Sequence, residues 1–276
     1  MTYRTLMVYL QAGADNVAVL SIAGVLAEKF DAKVIGLSAC QPCNPIYEEG
    51  FAAGDVVAED RTEIKRELAA AADQFHSALD GKSRKGEWRS TITYGPLADY
   101  IAEQARAVDL VIIGKPTGGT FFDQTRCVNV GSLVMQAGRP VLLVPQDVAS
   151  LSLRNVIACW KDTRESRRAI SDALPLLQAA SRASVLEVCK MGQRALADRE
   201  LLDVAGWLRR QGVEASPLVV EADGSEIDAL KCELRKQRCD LLIAGAYGHN
   251  RLSEWAFGGV TGDFLLDPEC CVLLSH

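Results

Sequence analysis

Histidine, methionine and aromatic residues are scarce in this 276-residue chain, with three His, four Met and an aromatic content of 6%. The three histidines (His76, His249 and His276) are dispersed, and no serine stands on a glycine elbow. No nucleophile–base pair can therefore be assembled from the sequence. Basic charge is not in excess either: 30 Lys and Arg are interspersed with 36 Asp and Glu, for a net charge of −6. A nucleic-acid footprint needs a clustered basic face, so no nucleic-acid partner is expected. The longest apolar runs fall far short of the ~20 residues of a membrane span. The opening Met-Thr-Tyr-Arg-Thr-Leu has no long apolar stretch behind its charge, so no signal peptide and a cytoplasmic location are expected. Nine cysteines are an odd number, spread over a chain too long for a disulfide scaffold, and read as free thiols in a reducing compartment.

Apolar residues are plentiful, at 49% of the chain against 24% charged, enough to bury a substantial core. They recur in a repeat. Asp109-Leu-Val-Ile-Ile-Gly114 and Asp240-Leu-Leu-Ile-Ala-Gly245 are the same phrase 131 positions apart, and Val141–Val144 matches Val272–Leu274 at that offset. Near the two starts, Leu6–Leu10 aligns with Val156–Trp160 at an offset of 150, so the first copy carries 19 extra residues, placed at the turn-rich Cys40–Gly54. Strand-length apolar runs alternate with helical patterns in both halves. In the second, Val156–Trp160, Ser184–Val188, Ser216–Val220, Leu241–Ala244 and Val272–Leu274 read as strands. Glu165–Ala180 (with a kink or early end at Pro175), Ala195–Arg210, Glu226–Lys236 behind a Ser225 cap, and Thr261–Leu266 read as helices. The first half repeats the order: Thr5–Leu10, Asn16–Phe30, Val34–Ser38, Asp55–Leu79, Ser90–Thr93, Leu97–Arg106, Leu110–Ile113, Gly131–Ala137 and Val141–Val144. This alternation implies parallel sheets with helices on both faces, in two domains spanning 1–148 and 149–276.

One segment carries a phosphate-loop pattern. Gly245-Ala-Tyr-Gly248 is followed nine residues later by Gly258-Gly259-Val260-Thr261, leaving a strand and entering a helix. Glycine lets backbone approach a phosphate closely, and the N–H groups and dipole of a helix start favour an anion. Glycines alone would be read as a packing turn, but the carboxyl end of a central strand is where open α/β sheets bind ligands.

This loop, the closing Val-Leu-Leu strand and the tandem repeat together resemble the universal stress protein family over essentially the whole chain. The similarity is strongest in Asn155–Leu177 and Asp240–Leu274, including Trp160-Lys-Asp-Thr-Arg-Glu-Ser-Arg-Arg168. The resemblance implies two Rossmann-like domains of the adenine-nucleotide α-hydrolase type, each a five-stranded parallel sheet, whose last strands pair across domains or subunits. It also implies ATP or a related adenine nucleotide as ligand, without a metal. Carried over by position, the site is Gly245, Gly248, Gly258, Gly259, Val260 and Thr261, with Val188 in the second strand and Trp160 and Lys161 at the end of the first. Two positions depart from the family: its first-strand aspartate is Lys161 here, with Asp162 next, and its small hydroxyl residue is Gly259. In the first half only Gly114 survives; Thr117, Cys127, Val128 and Val130 replace the later loop positions, and Gln11 stands where the aspartate would be. The expected function is non-enzymatic nucleotide binding in the second domain, in a protein that pairs its own domains and forms a homodimer. The alternatives are a slow ATP hydrolase and a ligand-free adaptor.

Other motifs carry less. Cys40-Gln-Pro-Cys43 has redox spacing but no second Cys/His pair for zinc, and reads as an insertion loop. Cys270-Cys271 reads as half-buried strand. No lysine follows a glycine run, so this is not a Walker-type loop.

Overall fold

The computed structural model describes residues 2–42, 53–79, 86–116, 126–246 and 269–276, with no side chains described at 53–56. Tyr3–Gly138 clusters as one compact unit and Arg139–His276 as another.

The first unit contains strands β1 (Thr5–Tyr9), β2 (Lys33–Cys40), β3 (Glu87–Ile92) and β4 (Leu110–Gly114), with helices α1 (Val17–Phe30), α2 (Ala53–Leu79), α3 (Leu97–Gln104) and α4 (Val130–Ala137). Its strands lie in the order β3-β2-β1-β4, and every pair is parallel. In β1, Leu6, Met7 and Val8 are wholly buried on consecutive positions, as are Leu110, Val111 and Ile112 in β4. A strand covered on both faces has no reason to alternate, which is why these runs read as unbroken apolar stretches. Each such side chain contributes about 1.5–3 kcal/mol on leaving water. Helix α1 buries Val19, Leu20, Ile22, Ala23, Leu26 and Ala27 and ends at Asp31, whose φ of 51° turns the chain into the left-handed region.

The second unit contains β5 (Val141–Val144), β6 (Asn155–Cys159), β7 (Arg182–Lys190), β8 (Ala215–Ala222), β9 (Leu241–Gly245) and β10 (Cys271–Ser275). Its helices are α5 (Arg164–Asp172), α6 (Leu174–Gln178), α7 (Arg194–Arg210) and α8 (Glu226–Lys236). Strands β8-β7-β6-β9-β10 form a five-stranded parallel sheet. To its β10 edge β5 adds antiparallel, with Val272 opposite Leu143 and Leu274 opposite Val141. All four residues of β5 are buried, so each strand covers an edge the other would leave open.

The repeated aspartate has a structural cause. Asp109 Oδ2 accepts the N–H groups of Arg4 and Thr5 at 2.7 and 2.9 Å, and Asp240 Oδ2 accepts that of Asn155 at 2.7 Å. In both repeats the carboxylate ties the start of the fourth strand to the start of the first. Helix boundaries follow their caps: Ser225 Oγ accepts the N–H of Asp228 at 3.2 Å, opening α8 at Glu226. The helix expected over Glu165–Ala180 is two helices, broken at Ala173, because Pro175 is accommodated in the first turn of a new helix. Thr261–Leu266, expected as a helix, lies outside the described residues.

Candidate functional site

In the second unit the strand order reverses between β6 and β9, the position at which open α/β sheets leave a crevice at their carboxyl ends. Three chain segments meet there. β6 runs into Trp160, Lys161 and Asp162 and then α5; β7 extends three residues past Glu187; β9 ends at Gly245.

Trp160 is buried, and its backbone N–H donates to Leu186 O at 2.7 Å, continuing the β6–β7 register that pairs Cys159 with Leu186. Trp160 and Glu187 therefore stand level on neighbouring strands, and strand alternation puts their side chains on one face. Trp160 Nε1 and Glu187 Oε2 are both buried and, among the described residues, both without a hydrogen-bond partner. Burial pushes the Glu187 carboxyl above its usual range, the carboxylate of Glu200 adds to this, and Lys161 opposes it. At the start of α5, Thr163 caps the helix by accepting the Ser166 N–H at 3.3 Å. Glu165, 2% exposed, pairs with Arg164 through one oxygen and leaves Oε2 buried, with no partner among the described residues. Burial works against its charge, but Arg164, its own backbone N–H and the Thr163 hydroxyl hold its pKa below the ordinary range. An unmade hydrogen bond on a buried polar atom costs about 1–3 kcal/mol. Three such atoms lie on segments at the carboxyl ends of β6 and β7 and at the start of α5.

The expected site residues fall as follows. Val188 is buried in β7 and Trp160 at the end of β6. Lys161 Nζ, considered as a phosphate ligand, is held 2.6 Å from Glu226 Oε2 on α8. Asp162 pairs with Arg167 at 2.5 Å, both largely exposed. Gly245 closes β9 against α5: a Cβ there would lie 2.5 Å from Glu165 C and 2.6 Å from Ser166 N. Close helix packing is thus sufficient reason for glycine at this position. Gly248, Gly258, Gly259, Val260 and Thr261 lie outside the described residues. Glu165 and Glu187 were not singled out from the sequence. The available signal was a carboxylate inside the otherwise apolar Ser184–Val188.

The corresponding end of the first unit is filled by its own side chains. Arg126 pairs with Asp60 and lies 3.6 Å from Glu67, all three partly buried. Gln11 donates its backbone N–H to Asn16 Oδ1 at 3.0 Å, and its Nε2 reaches Cys127 Sγ at 4.0 Å. Gly13, with φ of 73°, turns where a Cβ would sit 2.8 Å from Glu67 Oε1. Cys40 is buried and its thiol is pushed up to about 11, chiefly by burial, so it lacks the ready thiolate of a redox motif. Cys43 and Thr117 lie outside the described residues. Among the described residues no group of three or more potential ligands could hold a metal ion, and no helix is long and apolar enough to cross a membrane.

The architecture defines a class: a tandem, doubly wound α/β protein with strand order 3-2-1-4-5 in its second repeat. No family model matches the sequence, and no curated protein matches it. Solved structures do. A universal stress protein from Archaeoglobus fulgidus DSM 4304 superposes with a TM-score of 0.73 at 12% identity, covering 98% of this chain and 97% of that one. A putative universal stress protein from Pseudomonas aeruginosa UCBPP-PA14 gives 0.64 at 14% identity, over 99% and 93%. The fold is that of the tandem universal stress proteins, as the sequence resemblance implied. A universal stress protein from Archaeoglobus fulgidus in complex with dAMP aligns with 52% of the chain at a TM-score of 0.34, too slight a likeness to carry a ligand over.

Proposed function

We propose that the second repeat, 149–276, binds an adenine nucleotide, ATP or a close relative, at the carboxyl ends of β6 and β9, and that occupancy rather than turnover is its function. The observation that carries this reading is the strand order β8-β7-β6-β9-β10, with Gly245-x2-Gly248-x9-Gly258-Gly259 leaving β9 at the point of reversal. Trp160 Nε1 and the carboxylates of Glu165 and Glu187 supply one donor and two acceptors for a ligand's polar edge. The first repeat, 1–148, has the same element order but fills the equivalent place with Arg126, Asp60 and Glu67, and acts as a structural partner. The protein works in the cytoplasm, as a homodimer whose surfaces the nucleotide biases toward protein partners.

Titration with ATP tests this in wild type and Gly258→Val. A branched side chain would block close approach of backbone to phosphate, and a loss of affinity of about tenfold or more is expected, about 1.4 kcal/mol. Equal affinities in two folded proteins would sink the loop assignment. The Lys161–Glu226 ion pair favours a second reading, a ligand-free adaptor. Absence of binding in wild type as well would select it.

Phosphate release from ATP is expected near background in wild type and Asp162→Ala alike. Fast hydrolysis needs a positioned water and charge stabilisation, usually with metal help, and Asp162 is engaged with Arg167. Robust release that disappears in the alanine variant would promote the hydrolase reading, with Asp162 as its base or metal ligand.

A further inference from the structure

At the opposite end of the second unit's sheet, two cysteines far apart in sequence lie at the starts of neighbouring strands. Cys239 precedes β9 by two residues and Cys270 precedes β10 by one, while the register pairs Cys271 with Leu241. Neighbouring strands offset by one residue place such Cα atoms about 6 Å apart, inside the range of about 4.4–6.8 Å that a disulfide requires. The two thiols interact electrostatically with each other across this gap. Both line the same open pocket of about 130 Å³, together with Lys231, Leu234, Arg235, Arg238 and Glu269. Arg235 makes a two-pronged ion pair there with Glu269, at 2.8 Å from Nε to Oε2.

The environments of the two sulfurs differ. Cys270 is held below the ordinary thiol range by its interaction with Cys239, and burial only partly opposes this. Cys239 is raised by the same interaction and by burial. One sulfur is thus disposed to be the thiolate and the other to keep its proton, the division of labour of an attacking and a resolving thiol. Cys159, nearby, is pushed up to about 12 by burial, and Cys271, inside β10, likewise. Neither competes as a nucleophile.

We infer that Cys239 and Cys270 form a peroxide-sensitive dithiol, oxidised through the basic pocket to a reversible disulfide. The oxidant is a small hydroperoxide. The Cys270 thiolate attacks one peroxide oxygen and breaks the O–O bond. Sulfur takes that oxygen as a sulfenic acid, and the other oxygen leaves as hydroxide, becoming water with the proton that Cys270 released. Cys239 sulfur then attacks Cys270 sulfur, the S–S bond forms, and the sulfenic hydroxyl leaves as water with the Cys239 proton. The two thiols lose two electrons and two protons, and hydrogen peroxide becomes two waters.

The test uses the full-length protein, reduced, treated with a few equivalents of hydrogen peroxide, alkylated and digested with trypsin without reduction. The expected result is a majority of molecules carrying a cross-link between the peptide starting at Cys239 and the peptide ending at His276, abolished by dithiothreitol. Fragment ions of the wild-type cross-link should place it on Cys270, and Cys271→Ser should retain it. Cys239→Ser should lose the link and accumulate sulfinic or sulfonic acid at Cys270. A cross-link through Cys271 or Cys159 would overturn the inference. So would oxidation confined to the exposed Cys232. Because localisation on wild type decides the question, a variant that fails to fold does not rescue it.

Discussion

Gly245→Ala is expected to destabilise the second unit by about 3 kcal/mol, the upper part of the usual range for forcing extra volume into a packed interior. The added Cβ would meet backbone and not a movable side-chain tip, at 2.5 Å from Glu165 C and 2.6 Å from Ser166 N. Helix α5 must therefore slide off the sheet, taking the buried Ala169 and Ile170 with it. At roughly 2–4 °C per kcal/mol for a domain of this size, the melting temperature should fall by roughly 6–12 °C, read by calorimetry without nucleotide. The same shift displaces Glu165 from the crevice, so ATP affinity should weaken as well. If stability is unchanged and affinity alone falls, Gly245 is a phosphate-contact glycine and the packing account is wrong. The equivalent Gly114 is a built-in control: among the described residues a Cβ there meets only Val19 Cβ at 4.0 Å, so Gly114→Ala should cost much less.

That contrast measures what a sequence can disclose. The Asp-Leu…Gly phrase is visible as a repeat, and its aspartates do the same work in both copies. Its glycines do not, because what a Cβ would meet depends on how closely a helix approaches. Elements whose burial is uniform or whose ends are capped locally were legible: Val141–Val144 and Glu226–Lys236 have the bounds read from the sequence. Strand β3 was read as starting at Ser90 but begins at Glu87. Its first residues include Glu87 and Arg89, held to the edge by the Lys33–Glu87 pair at 2.5 Å and the Arg89–Glu87 pair. An edge strand with half-exposed polar residues has no apolar signature to read.

The site divides in the same way. Trp160, Lys161, Val188 and Gly245 can be placed at or near strand ends from sequence because a strand end is a local feature. That Lys161 is engaged by Glu226 on α8 is long-range, as is the burial that leaves Glu165 and Glu187 with acceptors unpartnered among the described residues. The pairing of Cys239 with Cys270 belongs with these, since only the β9–β10 register brings them together.

The loss of the first repeat's loop pattern has a counterpart in charge, which Arg126→Met exposes. The arginine sits between Asp60 and Glu67, none of the three side chains more than 23% exposed. Replacing it with an uncharged chain of similar length leaves two carboxylates facing each other where water is scarce. Breaking a buried pair costs about 3–5 kcal/mol, and partial exposure brings the expectation to about 3 kcal/mol at neutral pH. The Glu67 carboxyl is already raised, by burial first, with Arg126 acting against it. A carboxyl whose folded pKa lies above its unfolded value destabilises the fold only where it is ionised. That penalty is absent below the unfolded pKa and complete above the folded one. Loss of Arg126 raises the folded value further, so the deficit of the variant relative to wild type should be largest at about pH 7 and shrink as pH falls toward about 5. Chemical denaturation of both proteins at several pH values measures the difference. The triple variant Arg126→Met, Asp60→Asn, Glu67→Gln should recover most of the loss and abolish its pH dependence, because no unpaired buried charge remains. A deficit that does not change with pH, or that grows in acid, would mean that Arg126 acts by packing alone and that the first repeat's pocket is not closed by charge.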